Sequence, residues 1–569
     1  MPLVIKQTLR ALLAIIIILP VIVSILFTLQ HGWRTIALAL VPLALALRFG
    51  SRVFHKIHSL FDRLSRRRAL AIAVVGLFAF AASATLTVWK GVRDPEVTDE
   101  FSYLLAADTF AHGRLTNPPH PMWVYLEAVH VIHQPTYASK YPPGQGLILA
   151  AGLITGGHAI VGVWLSMAMA ASALCWMLMA WVPRRWATMG GMMIIFHPMF
   201  LEWSQSYWGG AVALCGGAIA AGAFRRLLKK PRAREAILMG AGILLLANTR
   251  PFEGAILSLC LGAWLAVWMA GRKGPTVRVA IVRVVMPLGA MLALTLLWTG
   301  FYNWRVTGDP LRFPYSVHED AYGIAPLFLF QNLRPEPNYN HKALRDLHSG
   351  WELTDYLNQQ TTDGVITGIK VKLRNFLDWN LQSLAFLIPL LMLPCALRDR
   401  WTRGAMIVIL ICVTAIFLET WLLPHYASLL VGMSFVVVMR AMRRLRALRW
   451  GKARAGIHIT RATIILAAAL TLASWINHPA ADRDQWYSER ARMTEGMRAS
   501  RERHLVIVRY GSEHLIHQEW VHNEADIDNS AVVWARDMKD NQPLLEYFSN
   551  RRVWLLEVNA GHAALRPFQ

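Results

Sequence analysis

The sequence predicts an α-helical polytopic membrane protein with a small extracytoplasmic α/β domain at its C-terminus. Three observations support this fold class. Of the 569 residues, 55% are hydrophobic and only 16% are charged, whereas a soluble domain needs more charge on its surface. Apolar runs of about 20 residues, long enough to cross a bilayer, recur along residues 1–476. The basic residues gather in the short connections between these runs.

About thirteen apolar runs are long enough to span the bilayer when tilt and short polar ends are allowed. The predicted spans are residues 11–29, 34–49, 69–89, 159–182, 187–203, 208–224, 235–249, 254–270, 280–300, 381–397, 404–422, 426–440 and 461–476. We therefore expect three parts: residues 1–68 with two extra spans and a basic loop, residues 69–476 as the main membrane domain, and residues 477–569 as the C-terminal domain.

The formal net charge of +23 could indicate a nucleic-acid partner. If the N-terminus is cytoplasmic, however, every second connection is cytoplasmic, and these connections hold 32 of the 58 Lys and Arg residues beside only Asp62 and Asp399. The positive-inside rule predicts this distribution. We therefore expect the basic loops to contact anionic membrane lipids, with no role in nucleic-acid binding. Residues 90–158, 301–380 and 477–569 then lie on the outer side.

Two outer segments have their own predicted structure. Residues 144–157 are apolar but too short to span, which favours a helix lying in the outer interface. In the tail, helical patterns at 481–503 and 542–548 alternate with three strand-like runs, which is typical of a small α/β domain capping the outer face. The three runs are residues 505–509, 531–535 and 553–558.

Ionisable residues mark the outer ends of the predicted spans. Asp99 and Glu100 follow the span at 69–89, where Thr98 or Asp99 could also cap the next helix. Ionisable groups at membrane depth are costly, so they are functional candidates by default. The alternative explanation is structural: some of these groups form local ion pairs, and the histidines lie at the interface with their hydrogen bonds satisfied. Further candidates on the same side are Lys140, Glu202, Arg250 and His425.

Two of these segments together resemble a known family. Asp99-Glu100-Phe101-Ser102-Tyr103 follows a span, and Lys140-Tyr141-Pro142-Pro143 leads the interfacial helix. This order resembles the GT-C superfamily of polyprenyl-phosphate-sugar glycosyltransferases, notably its protein mannosyltransferase and lipid A aminoarabinose transferase branch. The resemblance covers about residues 69–440. The two extra N-terminal spans and the Pro-Pro-Gly start of the helix depart from the family pattern.

The resemblance implies that Asp99 matches the catalytic acidic position, Tyr103 a nearby aromatic position and Lys140 the lysine that contacts the lipid phosphate. Glu202 matches a second outer carboxylate by position alone. The expected function is transfer of a sugar from polyprenyl phosphate to an acceptor hydroxyl at the outer face of a bacterial inner membrane. Protein, glycan and lipid all stay open as the acceptor.

This chemistry assigns roles to the candidate residues. A carboxylate must take the acceptor proton, and we assign Asp99 with Glu100 as the alternate. Cations must stabilise the departing phosphate. Lys140 and Arg250 are the first candidates, and His425 is the next. Tyr103, Tyr141 and Glu202 complete the substrate-binding set, and attack opposite the phosphate would invert the anomeric centre.

The sequence identifies no certain cofactor, and a divalent metal stays open. The tail histidines His514, His517 and His522 are close in sequence, but surface histidines explain them without a ligand set. Residues of the 301–380 segment could shape an acceptor pocket or belong to an amphipathic covering loop. They are Trp304, Tyr315, His318, Glu319, Asp320 and Tyr322. The competing functions are a multi-span transporter or lipid flippase, and a non-catalytic sensor or assembly subunit.

Overall fold

The computed structural model of the chain describes residues 59–449, 451, 454–477 and 485–568. The predicted spans 11–29 and 34–49 lie outside these residues. The described chain is mostly helical and ends in a small sheet domain, as predicted.

Helices make up the membrane part and its outer loops. Residues 59–66 are helical and precede the first long helix, α1. The helices up to residue 307 are α1 Arg68–Lys90, α2 Thr98–Ala111, α3 Pro143–Gly156, α4 Ala159–Trp181, α5 Arg184–Met192, α6 Phe200–Trp203, α7 Ala211–Leu227, α8 Ala233–Ala247, α9 Pro251–Ala270 and α10 Val277–Thr307.

The later helices begin in the outer segment 301–380. They are α11 Pro314–Tyr322, α12 Lys342–Arg345, α13 Leu353–Asn358, α14 Thr362–Leu381, α15 Leu384–Leu390, α16 Leu393–Ala396, α17 Arg400–Ile416, α18 Val431–Arg446, α19 Ala455–Asn477, α20 Trp486–Ala499 and α21 Gln542–Tyr547. Short 3₁₀ turns lie at Trp123–Leu126, Met193–Phe196 and Ser428–Leu430, and π-helical segments at Ile281–Val285 and Asp346–Glu352.

Five of the described helices are long and apolar enough to cross a membrane: α1, α4, α9, α10 and α19. The count of thirteen spans is not confirmed. Two predicted spans, 187–203 and 381–397, are divided into shorter helices. A proline follows both breaks. Pro198 keeps the preceding His197 in an extended conformation (ψ 132°), and Pro394 lies in the first turn of α16, a position that suits proline.

The predicted interfacial helix corresponds to α3. It begins at Pro143, and Gly157, in the left-handed conformation, follows its last residue. Proline suits the first turn of a helix because its missing N–H would be unsatisfied there anyway, and glycine adopts positive φ at low cost. Gly152 of α3 and Gly162 of α4 meet so closely that a Cβ on Gly152 would lie 2.1 Å from the Gly162 nitrogen. This contact sets α3 against the start of α4.

The C-terminal domain contains a four-stranded sheet in the order β4-β3-β5-β6. Its strands are β3 His504–Tyr510, β4 Val532–Arg536, β5 Arg552–Asn559 and β6 His562–Pro567, while β1 Val131–Ile132 and β2 Ala138–Ser139 form a separate hairpin. β3 pairs in parallel with β4 and β5, and β6 pairs antiparallel to β5.

The sequence predicted β3, β4 and β5 but not β6. This edge strand is mostly exposed and lacks a clear apolar alternation. A two-residue turn at Ala560 and Gly561 joins β5 to β6. Both residues have positive φ (47° and 81°), as a type I′ hairpin requires.

The C-terminal domain packs on segment 90–158 through Arg536, which also forms a buried ion pair with Glu519 of its own domain. The Arg536 guanidinium donates to Glu519 Oε2 at 2.6 Å and to the backbone oxygen of Glu127 at 2.7 Å. Both charged side chains are almost fully buried. Ala525 N also donates to Asp108 Oδ2 of α2 at 2.7 Å. The domain is thereby fixed to the helix that carries Asp99.

We expect Arg536→Met to lower the free energy of unfolding by about 3 kcal/mol, because it leaves the buried Glu519 without its cation. Arg566→Met is the matched control, since Arg566 pairs with Glu557 at the surface and should contribute less than about 1 kcal/mol. Thermal unfolding in detergent measures both. Equal destabilisation by the two variants would contradict the docking role of Arg536.

Candidate active site

Asp99 lies in the first turn of α2, and its carboxylate has two partners from the outer segment. The Tyr141 hydroxyl donates to Asp99 Oδ1 at 2.5 Å. The His130 Nε2 atom lies 3.5 Å from Asp99 Oδ2. About a fifth of the Asp99 side chain is exposed. The structure therefore fixes the orientation of this carboxylate and leaves it open to a ligand.

Glu100 has a different role, because it caps α2. Its Oε2 accepts hydrogen bonds from the backbone N–H groups of Glu96 (2.7 Å) and Val97 (3.4 Å), and its Oε1 accepts one from Tyr207 N (2.6 Å). Burial raises the pKa of Glu100 to about 7, although these hydrogen bonds act in the opposite direction. Val97, and not Thr98 or Asp99, occupies the N-cap position of α2. Glu100 therefore holds backbone, while Asp99 projects from the same turn.

His130 was missed by sequence reasoning. It has a positive φ of 63°, uncommon for a residue with a side chain, and lies just before β1. Its carbonyl oxygen accepts hydrogen bonds from Ser102 Oγ (2.7 Å) and Lys140 N (3.3 Å), which hold this backbone in place. No motif or spacing marks this histidine in the sequence, since its neighbours are brought together only by the fold.

The pKa of His130 lies well below its usual value, first because of burial and then because of the nearby positive charge of Lys140. The imidazole is therefore neutral near pH 7. With its proton on Nε2, it would donate toward Asp99. Its Nδ1 is buried and has no hydrogen-bond partner within the described residues.

Lys140 follows β2 and is buried between aromatic rings. Its Nζ lies 3.4 Å from Glu319 Oε1, 4.9 Å from the centre of the Tyr315 ring and 5.7 Å from the centre of the Tyr141 ring. An ammonium group carries three N–H donors, so the contact with Glu319 orients Lys140 without using all of them. The expected phosphate-binding cation thus lies beside the tyrosine that contacts Asp99.

Segment 301–380 contributes to this site through α11. Tyr315 and Glu319 contact Lys140, and His318 Nδ1 lies 3.3 Å from the same Glu319 oxygen. The other candidates of this segment lie elsewhere. Trp304 is half exposed, Asp320 pairs with Arg312 and Arg334 at the surface, and the Tyr322 hydroxyl donates to Glu127.

Tyr103 and Arg250 extend the site toward the membrane helices. The Tyr103 ring stacks on Tyr141 with 4.5 Å between ring centres, and burial raises its pKa. Arg250 precedes α9, lies over the Tyr426 ring at 4.3 Å and is 3.6 Å from Glu253 Oε1. Arg250 thus extends the charged environment of the site, with a carboxylate and an aromatic ring as partners.

Glu202 and His425 are placed at the margin of this environment. Glu202 lies 4.0 Å from Arg93, and about a third of its side chain is exposed. The His425 ring packs between Trp208 (4.9 Å) and Tyr426 (5.1 Å) and is buried. Their roles in substrate binding stay predictions.

The tail histidines do not gather around one point. His514 packs on Tyr510, His517 on Trp351, and His522 stacks on Phe101. Across residues 59–449, 454–477 and 485–568, no group of three or more His, Cys, Asp or Glu side chains is arranged to hold a metal ion. The stack on Phe101 connects the C-terminal domain to the helix of Asp99.

Comparison with known proteins gives similarities of structure alone. No family model and no curated protein matches the chain. Among solved structures it is similar to ArnT from Cupriavidus metallidurans in the apo state, at 12% identity and a TM-score of 0.46, over 84% of this chain and 92% of that one. The same protein bound to undecaprenyl phosphate gives 12% identity and a TM-score of 0.45, over 86% and 92%.

The chain is also similar to an Archaeoglobus fulgidus oligosaccharyltransferase in complex with Zn and sulfate. The identity is 14% and the TM-score 0.47, over 85% of this chain and 67% of that one. At such identities and TM-scores, neither activity nor ligand passes from these proteins to this chain.

Buried neutral histidines should make the protein less stable in acid. The folded pKa of His130 lies below its unfolded value of about 6.5, so the unfolded chain takes up more protons as the pH falls below that value. We expect the unfolding free energy of His130→Asn to fall less between pH 7 and pH 5.5 than that of the unmodified protein, because asparagine has no titratable group. Asparagine also tolerates the positive φ at this position. Melting temperatures across this range measure the effect.

His562→Asn is the control, because His562 is exposed on β6. Its pH dependence should match that of the unmodified protein. The interpretation of His130 is wrong if His130→Asn and His562→Asn lose stability in acid to the same extent.

Proposed function

We propose that the chain is a membrane glycosyltransferase that moves a sugar from a polyprenyl-phosphate donor to an acceptor hydroxyl at the outer face of a bacterial inner membrane. The proposal rests on one observation: Tyr141 contacts Asp99, and the adjacent Lys140 is buried beside the Tyr141 ring. A proton acceptor and a cation thus lie together at the ends of apolar helices. A lipid-borne sugar phosphate requires this pair of charges at the membrane surface.

Asp99 would act as the general base. It takes the proton from the acceptor hydroxyl as the acceptor oxygen forms a bond to the anomeric carbon. The bond from that carbon to the phosphate oxygen breaks, and its electron pair leaves with the polyprenyl phosphate. Attack from the side opposite the phosphate inverts the anomeric centre. Tyr141 and His130 each engage one oxygen of Asp99, and a carboxylate oxygen has a second lone pair with which to accept a proton.

Lys140 and Arg250 would stabilise the departing phosphate, which gains negative charge as the bond breaks. Cations that are already in place act without reorganisation in a site of low dielectric constant. Glu319 holds Lys140, and Glu253 holds Arg250, at distances of 3.4 and 3.6 Å. The two ion pairs keep the cations in position before the donor arrives. Polyprenyl phosphate would then bind on the side of these cations, with the acceptor on the side of Asp99.

We expect Asp99→Asn to reduce sugar transfer by about 10²- to 10⁴-fold, since the amide keeps the shape of Asp99 but takes up no proton. The Oδ1 atom of asparagine would still accept the hydrogen bond from Tyr141, so the melting temperature should change little. The measurement is mass spectrometry of cell-envelope glycans and lipids, with and without the gene and with each variant restored.

Asp320→Asn is the matched control, because this carboxylate follows Glu319 directly but lies at the surface with Arg312 and Arg334. It should retain transfer. Retention of transfer by Asp99→Asn as well would remove Asp99 from the role of base.

We expect Lys140→Ala to raise the donor KM about tenfold or more, because the phosphate loses a charge-assisted contact. Glu319→Gln should raise the donor KM less, since the glutamine oxygen can still accept a hydrogen bond from Lys140 and hold it in place. Initial rates against donor concentration in detergent distinguish the two. An unchanged donor KM in Lys140→Ala would refute the phosphate contact.

A further inference from the structure

A second cluster of charges lies at the opposite ends of the membrane helices. α4 has 23 residues and is about 35 Å long. Its start lies near the active-site side, where His158 and Tyr207 have ring centres 6.5 Å apart, and its last residue is Trp181. Arg225 of α7 and Arg440 of α18 lie at this far end, because both contact Trp181.

Arg225 is buried against two tryptophans. Its guanidinium carbon lies 3.6 Å from the centre of the Trp401 ring and 5.8 Å from that of Trp181, and only 8% of the residue is exposed. A guanidinium that stacks on a ring directs its N–H groups sideways, in its own plane. The ring stabilises the charge but accepts none of these hydrogen bonds.

Two N–H groups of this cluster lack an acceptor. The Nε atoms of Arg225 and Arg440 are buried and have no hydrogen-bond partner among the described residues. Arg440 uses its other nitrogens, since Nη1 lies 2.5 Å from Asp399 Oδ2 and Nη2 donates to the Trp181 carbonyl at 2.7 Å. A buried charged donor without an acceptor is costly.

Positive charge exceeds negative charge around Arg225. Arg400 lies over the Trp401 ring at 4.7 Å, and Lys229 Nζ donates to the carbonyl oxygen of Ala180, next to Trp181, at 2.8 Å. Asp399 is the carboxylate that acts on Arg225, and it is already paired with Arg440.

The other carboxylates described near this end are already paired, Asp62 with Arg185 at 2.9 Å and Glu235 with Arg234 at 2.8 Å. The undescribed residues 1–58, 450 and 452–453 contain no Asp or Glu. Four cations therefore face one carboxylate, and the remaining positive charge calls for an anion from outside the chain.

We propose that Arg225, Lys229, Arg400 and Arg440 bind the phosphate of an anionic phospholipid headgroup in the membrane leaflet opposite the active site. Phosphate supplies the acceptors that the two free Nε–H groups require, and its charge offsets the excess of cations. Its source would be a lipid, because the cluster lies at the ends of apolar helices among tryptophans. Tryptophan is enriched where a membrane protein meets headgroups, and basic pockets between helices bind anionic lipids there.

The test uses the full-length protein in detergent with added phosphatidylglycerol, phosphatidylcholine or inorganic phosphate at equal concentration. Phosphatidylglycerol should raise the melting temperature about 3 °C above that with phosphatidylcholine, because a ligand that binds the folded state stabilises it. Native mass spectrometry should retain one phosphatidylglycerol adduct. Arg225→Gln should lose at least half of the temperature shift and most of the adduct.

Lys229→Gln provides a second variant, since Lys229 is exposed enough for its loss to leave folding intact, and it should also reduce the shift. Arg278→Gln is the control, because it removes an exposed cation from the first turn of α10. The proposal is overturned if Arg225→Gln and Lys229→Gln both retain the full shift, or if the unmodified protein shows none. A shift of equal size with inorganic phosphate would overturn the assignment to a lipid.

Discussion

The contact between Asp99 and Tyr141 is the interaction on which the outer site depends. A carboxylate at the boundary of an apolar membrane domain is stable only when donors compensate for lost water. Tyr141 supplies one donor and also stacks on Tyr103, so the same residue orients the carboxylate and joins it to α2. Lys140 precedes Tyr141 directly, and its position beside Asp99 therefore follows from the same segment.

The requirement for partners also explains the residues around this contact. Glu319 balances Lys140 and Glu253 balances Arg250, so each buried cation is fixed before any ligand enters. Glu100 differs from Asp99 because its two oxygens accept three backbone N–H groups. Glu100 stabilises the helix start, and the neighbouring Asp99 stays partly exposed.

The buried charges at the two ends of the membrane helices are compensated in different ways. On the Asp99 side, acidic and basic side chains alternate and pair with one another. On the opposite side, Arg225 is stabilised by the Trp401 ring, and its Nε–H lacks an acceptor within the described residues. Paired charges suit a site that must hold its geometry before a substrate arrives. Excess positive charge suits a site that a permanent membrane component occupies.

The sequence by itself determined the membrane class, the helices from α1 to α4, most of the tail sheet, and the segments that hold Asp99 and Lys140. These follow from hydropathy and local pattern, which are properties of neighbouring residues. Only the tertiary structure decided that His130, His318 and Glu319 join Asp99 and Lys140, that Glu100 serves the backbone, and that two expected spans are broken. Such contacts join distant segments through packing and burial, and no local pattern records which donor will reach which acceptor.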